Sequence, residues 1–389
     1  MNPYASWSLA WLAAGLFACG ARSNIDPETY APWEPSQSLD AESFERDASL
    51  DRALSRPPRI ARGCDDAALP AVRSVQSVSG PIRLSPVVLH DPTRQRALVV
   101  GGLPSTGMYT RGVYAVATAD GQTRTLGVSA VELPIFAAVA WIDPPNTALM
   151  VGGSLRGGTL AASTVTMQVF DNTIQFAESS AHPGGPVWYA SAVYDPARRG
   201  VIVHGGRGHD TADARLFRAT WLVQREGSAL RWRELVSASQ SPPAADARIG
   251  GIDPRTGALV LLGGSTADGV DRSVWSLSAG ESPRWTRLEG AADALPRSGH
   301  ALSWDPIACG FLLVGGRCAD QLWLIRPEGS GVREALLGSL GLDPVSVGLG
   351  RIGAGVVFDA TQRSLLVVAG SVCDNSGGVI RANAVVELR

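Results

Sequence analysis

The chain has 389 residues, a formal net charge of −2, and a charged fraction of 18%. No lysine occurs, so the 34 basic residues are all arginines. A charge balance this close to neutral gives no bias toward polyanions, and we therefore expect no nucleic-acid partner. The 44 glycines favour a folded chain with many turns.

An apolar run at residues 7–18 (WSLAWLAAGLFA) opens the chain and ends at Cys19. A run of about 12 residues is too short to span a bilayer but suits the core of a signal peptide, so we assign residues 1–18 to a signal peptide. Leu16-Phe17-Ala18-Cys19 resembles a bacterial lipobox, which implies cleavage before Cys19 and lipid attachment to that cysteine. The segment before the run has no Lys or Arg, so an ordinary secretory signal and a mis-assigned start remain alternatives.

Residues 19–62 are rich in Pro, Ser, Asp, Glu and Arg and have little apolar periodicity. Such a composition cannot bury enough apolar surface to become ordered. We therefore expect a disordered tether that holds the rest of the chain, residues 63–389, away from the membrane.

A two-part pattern recurs six times between residues 63 and 389. Each copy has a turn aspartate and, nine or ten residues later, a pair of small residues; the aspartates are 52, 52, 58, 52 and 54 residues apart. The aspartates are Asp91, Asp143, Asp195, Asp253, Asp305 and Asp359, and the pairs begin at Gly101, Gly152, Gly205, Gly263, Gly315 and Ala369. A period of this length predicts an architecture of repeated units.

Each part of the pattern has a structural reason. Asp followed by Pro favours a turn in which the carboxylate caps nearby backbone, and paired glycines permit positive φ and a close approach of neighbouring chain. The Val- and Leu-rich run between them predicts a buried strand. The second half of each copy predicts a hairpin, for example between residues 221–223 and 232–235. Four antiparallel strands per copy predict one propeller blade.

The repeat resembles the kelch repeat in its period, its glycine pair after the second strand, and its tryptophans on the third and fourth strands, such as Trp275 and Trp285. The resemblance covers residues 63–389 and is weaker in the first two copies, which lack these tryptophans. It implies an all-β fold, a six-bladed kelch-type β-propeller. The sixth copy ends after its third strand at residues 384–388, so we expect Val72–Val78 to supply the missing outer strand and close the ring.

Cysteine use fits an exported protein. Cys309 and Cys318 flank one extended strand and should be too far apart to bridge each other. Cys318 and Cys373 follow the small-residue pairs of adjacent blades, whereas Cys64 and Cys309 fall at the opposite end of the blades. We predict the disulfides Cys318–Cys373 and Cys64–Cys309; free buried thiols are the alternative.

The sequence shows no catalytic constellation. Kelch propellers include copper enzymes resembling galactose oxidase, which need an adjacent Tyr-His pair, and none of the five histidines follows a tyrosine. We interpret His204 as a satisfied core residue and His300 as structural. His209, Asp210 and Asp213 share one loop and have side chains of the kind that bind metals, but polar residues are also usual on a solvated loop. We therefore expect no metal and no cofactor.

The remaining candidates lie in the loops predicted at one end of the central channel. Aromatic rings beside Asp, Asn and Arg suit the binding of sugars or peptides. Trp188 and Tyr189 are expected to begin the inner strand of the third blade. The candidate binding residues are Tyr109, Arg111, Trp188, Tyr189, His209, Asp210, Asp268, Arg272, Asp320 and Asp374.

These observations predict a monomeric, non-enzymatic binding module that recognises an envelope protein or glycan. We expect it to be lipid-anchored in a bacterial cell envelope, at the outer membrane or facing the periplasm. The membrane is expected to be contacted through the lipid anchor only, and the protein is expected to be secreted if it is not lipidated. The alternative is a sugar-acting enzyme resembling kelch-fold sialic acid epimerases, with acids and arginines on the loops.

Overall fold

The computed structural model describes most of the chain after residue 68. The described ranges are residues 69–78, 86–102, 111–156, 159–208, 215–290, 299–316, 321–340, 351–352, 354–368, 371–372 and 383–388. The predicted signal peptide and tether lie outside these ranges. No helix within them is long and apolar enough to cross a membrane.

The described residues form an all-β fold, with strands numbered in chain order. The first strand and blade one are β1 (Val72–Val78), β2 (Val87–Asp91), β3 (Arg96–Val100), β4 (Gly112–Ala117) and β5 (Thr123–Val128). Blades two and three are β6 (Ala138–Asp143), β7 (Thr147–Val151), β8 (Ser163–Val169), β9 (Ile174–Ala181), β10 (Ser191–Asp195), β11 (Gly200–His204), β12 (Thr220–Glu226) and β13 (Ala229–Val236). Blade four contains β14 (Ile249–Asp253), β15 (Ala258–Leu262), β16 (Ser265–Thr266), β17 (Gly269–Val270), β18 (Val274–Leu277) and β19 (Trp285–Leu288). Blades five and six contain β20 (His300–Asp305), β21 (Gly310–Gly315), β22 (Gln321–Glu328), β23 (Gly331–Ser339), β24 (Arg351–Ile352), β25 (Gly355–Asp359), β26 (Ser364–Val368), β27 (Ser371–Val372) and β28 (Asn383–Leu388).

Twenty-four of these strands form six four-stranded antiparallel sheets, which are the six blades of a β-propeller, and the other four strands form two separate pairs. The first strands of neighbouring blades contact one another all the way round, in the order β2, β6, β10, β14, β20, β25 and back to β2. The first strand of each blade is therefore its inner strand. The six-bladed propeller predicted from the repeat is confirmed.

The ring is closed by β1, as predicted. Strand β1 pairs antiparallel with β28, and Val75 lies opposite Val386. The sixth blade therefore has the order β25, β26, β28, β1. The buried side chain of Val78 also packs into the core shared by blades six and one, so the strand joins two blades as well as the two ends of the fold.

The core lies in the seams between blades. The second strands β3, β7, β11, β21 and β26 are buried along their whole length. Each of the six hydrophobic clusters spans two neighbouring blades; Leu98 and Met150, for example, share the cluster between blades one and two. Burial of apolar surface in all six seams therefore holds the ring together.

The turn aspartates cap backbone as expected in five blades. The carboxylate of Asp305, for example, accepts hydrogen bonds from the backbone N–H groups of Ile307 and Ala308 at 2.8 and 3.1 Å. Asp91, Asp195, Asp253 and Asp359 accept equivalent bonds. Asp143 differs, because its side chain is 56% exposed and pairs with Arg225 instead.

Two short strand pairs were not anticipated from the sequence. Strands β16 and β17 form a hairpin between the second and third strands of blade four, and β24 pairs with β27 beside blade six. The expectation that Trp188 and Tyr189 begin an inner strand is also wrong, because β10 starts at Ser191. Tyr189 has a φ of 56°, which is incompatible with an extended strand and delays its start.

Candidate functional site

The end of the propeller at which the inner strands begin is called the mouth here, and the residues just before these strands lie there. Phe136, Tyr189 and Ala247 occupy corresponding places before β6, β10 and β14, with φ of 58°, 56° and 50°. The Tyr189 N–H donates to the Phe136 carbonyl at 3.0 Å, and the Ala247 N–H donates to the Tyr189 carbonyl at 2.9 Å. These bonds tie blades two, three and four together, so the side chains beside them are held in fixed positions.

Three aromatic side chains cluster at the mouth between blades two and three. The ring centroids of Phe136 and Tyr189 are 4.5 Å apart, and Trp188 lies 6.0 Å from Phe136 and 5.2 Å from Tyr189. These separations are within the favoured range for aromatic pairs. The backbone of Trp188 is also bonded to that of Arg207 at 2.9 and 2.8 Å. Trp188 and Tyr189 are both half-buried, so each keeps some surface for a ligand.

An ion pair borders this aromatic cluster. The Nε of Arg207 donates to Oδ2 of Asp246 at 2.6 Å, and the Asp246 side chain is 9% exposed. Burial raises the pKa of Asp246, although the charge and hydrogen bond of Arg207 oppose that change. Burial and the nearby Asp246 raise the pKa of Tyr189, so its phenol remains a hydrogen-bond donor at neutral pH.

A second ion pair lies one residue before β14. The Nη2 of Arg248 donates to Oδ2 of Asp271 at 2.5 Å, and the Arg248 side chain is 2% exposed. Burial lowers the pKa of Arg248, and the charge of Asp271 acts in the opposite direction. The Nε and Nη1 of Arg248 have no hydrogen-bond partner among the described residues. Leaving such donors unsatisfied is costly in a protein interior.

His204, the last residue of β11, is buried against blade four. Its ring centroid is 5.2 Å from that of Trp285, and its Nδ1 is 3.1 Å from the Thr220 hydroxyl. Burial, with the charges of Arg248 and Arg218, lowers the pKa of His204 to about 3. The imidazole is therefore neutral at pH 7. Its Nε2 has no hydrogen-bond partner in the described part of the chain. His204 is therefore a core residue, as expected, but only one of its two ring nitrogens has a hydrogen-bond partner there.

The described candidates all lie toward the mouth end of the blades. Trp188 and Tyr189 are brought together in the aromatic cluster. Arg111 is exposed just before β4, and its Nη1 donates to the Ala130 carbonyl at 3.3 Å. Asp268 is exposed in the turn between β16 and β17. Within the described ranges, neither Arg111 nor Asp268 is joined to the aromatic cluster by a hydrogen bond or an ion pair.

Arg272 lies in a separate polar cleft at the outer part of blade four. This cleft has a volume of about 300 Å³ and is lined by Arg272, Arg287 and Glu289, among others. Both arginines are exposed. The cleft is therefore a solvated groove that is distinct from the mouth.

Several of the predicted site residues lie outside the described residues. They are Cys19, Cys64, Tyr109, His209, Asp210, Cys318, Asp320, Cys373 and Asp374. Cys309, in the turn between β20 and β21, forms a disulfide whose second sulfur lies outside the described ranges. Both predicted pairings therefore remain predictions.

Five residues of the site were not among the sequence-based candidates, namely Phe136, Arg207, Asp246, Arg248 and Asp271. Phe136 occupies the same place in its blade as Tyr189 does in the next, so a position-by-position comparison of the repeats would have found it. The two ion pairs had no comparable signal. Arg207 and Asp246 are far apart in sequence and meet only because neighbouring blades are adjacent in the ring.

The sequence matches no protein-family model, and no curated protein is significantly similar to it. Within the described residues, no group of three or more His, Cys, Asp or Glu side chains is arranged to hold a metal ion.

Proposed function

We propose that this propeller is a binding module of a bacterial cell envelope and recognises a protein or glycan through its mouth. The observation that carries the proposal is the aromatic cluster of Phe136, Trp188 and Tyr189 beside the Arg207–Asp246 ion pair. Aromatic faces bind the apolar faces of sugars or side chains, and fixed charged groups select the orientation of a ligand. Both are pre-positioned by the backbone bonds at the mouth.

We propose further that the propeller is of the kelch type and is tethered by a lipid on Cys19. The kelch type is supported by the glycine pairs with positive φ after the second strands, such as Gly205 at 68° and Gly206 at 93°, and by Trp275 and Trp285 on the outer strands of blade four. The lipid tether is supported by the lipobox-like sequence before Cys19. Mass spectrometry of the membrane-associated protein tests it, and an unacylated N-terminus beyond Cys19 contradicts it.

The binding proposal is tested by substituting Trp188. Wild type and Trp188→Ala are compared on a glycan array and in pull-downs from bacterial envelope extract. We expect Trp188→Ala to weaken binding about 30-fold, because loss of a central aromatic contact costs about 2 kcal/mol. Trp232→Ala on outer strand β13 is the control, since it removes another half-buried tryptophan away from the mouth. Equal binding by wild type and Trp188→Ala excludes the aromatic cluster as the binding surface.

A sugar-acting enzyme is the second candidate. The observation that favours it is the position of the Asp246 carboxylate, which lies close to Tyr189 and 2.6 Å from Arg207 and whose pKa is raised by burial, because carboxyl groups with perturbed pKa values are common among catalytic acids and bases. NMR of each glycan that binds distinguishes the two functions. A new sugar signal that requires Asp246 supports the enzyme, whereas an unchanged sugar supports the binding module.

A further inference from the structure

A small β-extension of the same design lies at the mouth end of four blades. In each of them, the third residue before the inner strand pairs antiparallel with the residue that follows the small-residue pair. The four pairs are Ile135 with Ser154, Trp188 with Arg207, Asp246 with Ser265, and Ile352 with Ser371, in blades two, three, four and six. Equivalent positions can therefore be compared from blade to blade within this one chain.

Isoleucine and serine are sufficient to build this extension, because blades two and six use that combination. A further residue, which pairs with the one after the small-residue pair, is aliphatic in blades two, three and four. Only three residues of the four pairs depart from isoleucine and serine, namely Trp188, Arg207 and Asp246. The extension does not need these three residues, so their side chains are available for another role.

The fold brings the three departing residues into contact. Trp188 and Arg207 exchange two backbone hydrogen bonds of 2.9 and 2.8 Å. Residues directly opposite each other in an antiparallel pair have their side chains on the same face, so the indole and the guanidinium lie side by side. The Nε of Arg207 then donates to Oδ2 of Asp246 in the next blade at 2.6 Å. An aromatic ring, a donor group and an acceptor group are thus adjacent at the mouth.

The Arg207–Asp246 ion pair keeps hydrogen-bonding capacity for a ligand. Within the described ranges Arg207 donates only through Nε, so its two Nη atoms remain available as donors, and its side chain is 29% exposed. Asp246 accepts one bond from Arg207, whereas a carboxylate can accept about four. Two adjacent hydroxyl groups of a sugar match this arrangement, because one accepts from the guanidinium while the other donates to the carboxylate.

The aromatic surface beside the ion pair favours a sugar ring over a peptide side chain. A peptide is usually anchored by a side chain that fills a desolvated pocket. Trp188 and Tyr189 instead are half-buried at the surface, where the apolar face of a sugar ring packs on them while its hydroxyl groups reach the ion pair. The two charges of the pair offset each other, so the carboxylate of an acidic sugar gains little from Arg207 and is repelled by Asp246.

We propose that Trp188, Arg207 and Asp246 form a subsite for a neutral hexose unit of a glycan. The apolar face of the sugar packs on Trp188, one hydroxyl accepts a hydrogen bond from an Nη of Arg207, and the adjacent hydroxyl donates one to the carboxylate of Asp246. The subsite rests on the proposed binding function and narrows its ligand from a protein or glycan to a neutral sugar.

The test uses the methyl glycosides of glucose, galactose and mannose as probes on the full chain, with those of the three matching uronic acids as anionic counterparts. Saturation-transfer NMR measures binding. We expect at least one neutral glycoside to bind about tenfold more tightly than its uronic acid, and removal of one hydroxyl of the bound pair to weaken it about tenfold. Absence of binding by all three neutral glycosides, or equal or tighter binding of the uronic acid, overturns the proposal, and these results require no variant.

One combined variant locates the bound sugar. Trp188→Ile with Arg207→Ser and Asp246→Ile rebuilds the isoleucine and serine pattern of blade two in blades three and four and removes the ion pair as a unit. We expect this variant to unfold cooperatively, as wild type does, and to lose binding of the glycoside. Arg287→Met is the control, because it removes an exposed arginine of the separate cleft, and it should bind as wild type does. Retained binding by the folded combined variant overturns the proposal.

The subsite and the proposed function fail in different ways. An envelope ligand that requires Trp188 but is a protein, or an acidic glycan, rejects the subsite and leaves the function in place. Binding of a neutral glycoside that is lost in the combined variant, together with no envelope ligand, supports the subsite and rejects the function.

Discussion

Gly121 provides a sharp test of how the first strand closes the ring. It lies in the turn between β4 and β5, with a φ of 71°. A Cβ added there would lie 2.4 Å from Cγ2, 2.7 Å from Cβ and 2.9 Å from Cγ1 of Val78 in β1. All three distances are shorter than real Cβ contacts, so Gly121→Ala must displace Val78 from the core shared by blades six and one.

The cost of Gly121→Ala has two parts. A non-glycine residue with this left-handed φ costs about 1 kcal/mol, and overpacking adds about 1–3 kcal/mol. Gly227→Ala is the matched control, because Gly227 occupies a hairpin turn with a φ of 63° and an added Cβ there meets nothing within 4 Å. We therefore expect Gly121→Ala to lower the free energy of unfolding by about 2 kcal/mol more than Gly227→Ala does.

Equilibrium urea unfolding, followed by tryptophan fluorescence, measures both variants. The same loss in the two variants would show that Val78 does not pack against the turn at Gly121, and would refute the closure geometry. A double-mutant cycle with Val78→Ala adds a second criterion. Because that change removes two of the three crowded carbons, its effect and that of Gly121→Ala should be less than additive.

Three further perturbations have expected outcomes. Deletion of residues 63–80 removes β1 and leaves β28 as an unpaired edge, so we expect aggregation by light scattering; a soluble, cooperatively melting product argues against this account. Thr118→Val removes the 2.5 Å hydrogen bond that Thr118 donates to Asp359, and it should lower the free energy of unfolding by about 2 kcal/mol at pH 7. Burial raises the pKa of Asp359, but the Thr118 bond and two backbone N–H groups outweigh burial and lower it. The loss of stability in Thr118→Val should therefore be complete above about pH 4 and disappear as the pH falls through the folded-state pKa of Asp359. A loss that persists in acid contradicts the assignment. The pKa of His204 is lowered mainly because burial favours the neutral imidazole, whereas hydrogen bonds lower the pKa of Asp359 by favouring its charged form. Between pH 7 and pH 5 the free energy of unfolding of the wild type should fall by about 2 kcal/mol relative to that of His204→Phe, because the imidazole gains a proton in the unfolded chain but not in the folded one. Parallel pH profiles of the two proteins contradict this prediction.

Much of the fold was predictable because each blade repeats the same local chemistry. The turn aspartates, buried second strands and glycine pairs act over about ten residues, so a local pattern in the sequence reveals them. The position of β1 followed from the missing strand of the last repeat. The β16–β17 hairpin was not predictable, because strands of two residues carry no periodicity.

The site was less predictable than the fold. Trp188 and Tyr189 were recognised as aromatic residues near the mouth, but the positive φ of Tyr189 has no signature in a residue other than glycine or asparagine. The Arg207–Asp246 pair depends on how two blades meet. Likewise, the orientation of the His204 ring depends on Thr220 and its bonding network, which no local pattern specifies.

Photo-crosslinking from the two ends of blade four tests the central claim most directly. A diazirine amino acid is placed at Asp268, exposed at the mouth end, or at Thr256, exposed in the turn between β14 and β15 at the opposite end. Irradiation in envelope extract should give a covalent adduct with a protein or glycan from position 268 and none from position 256. Adducts from position 256 alone, or equal adducts from both positions, would contradict binding through the mouth.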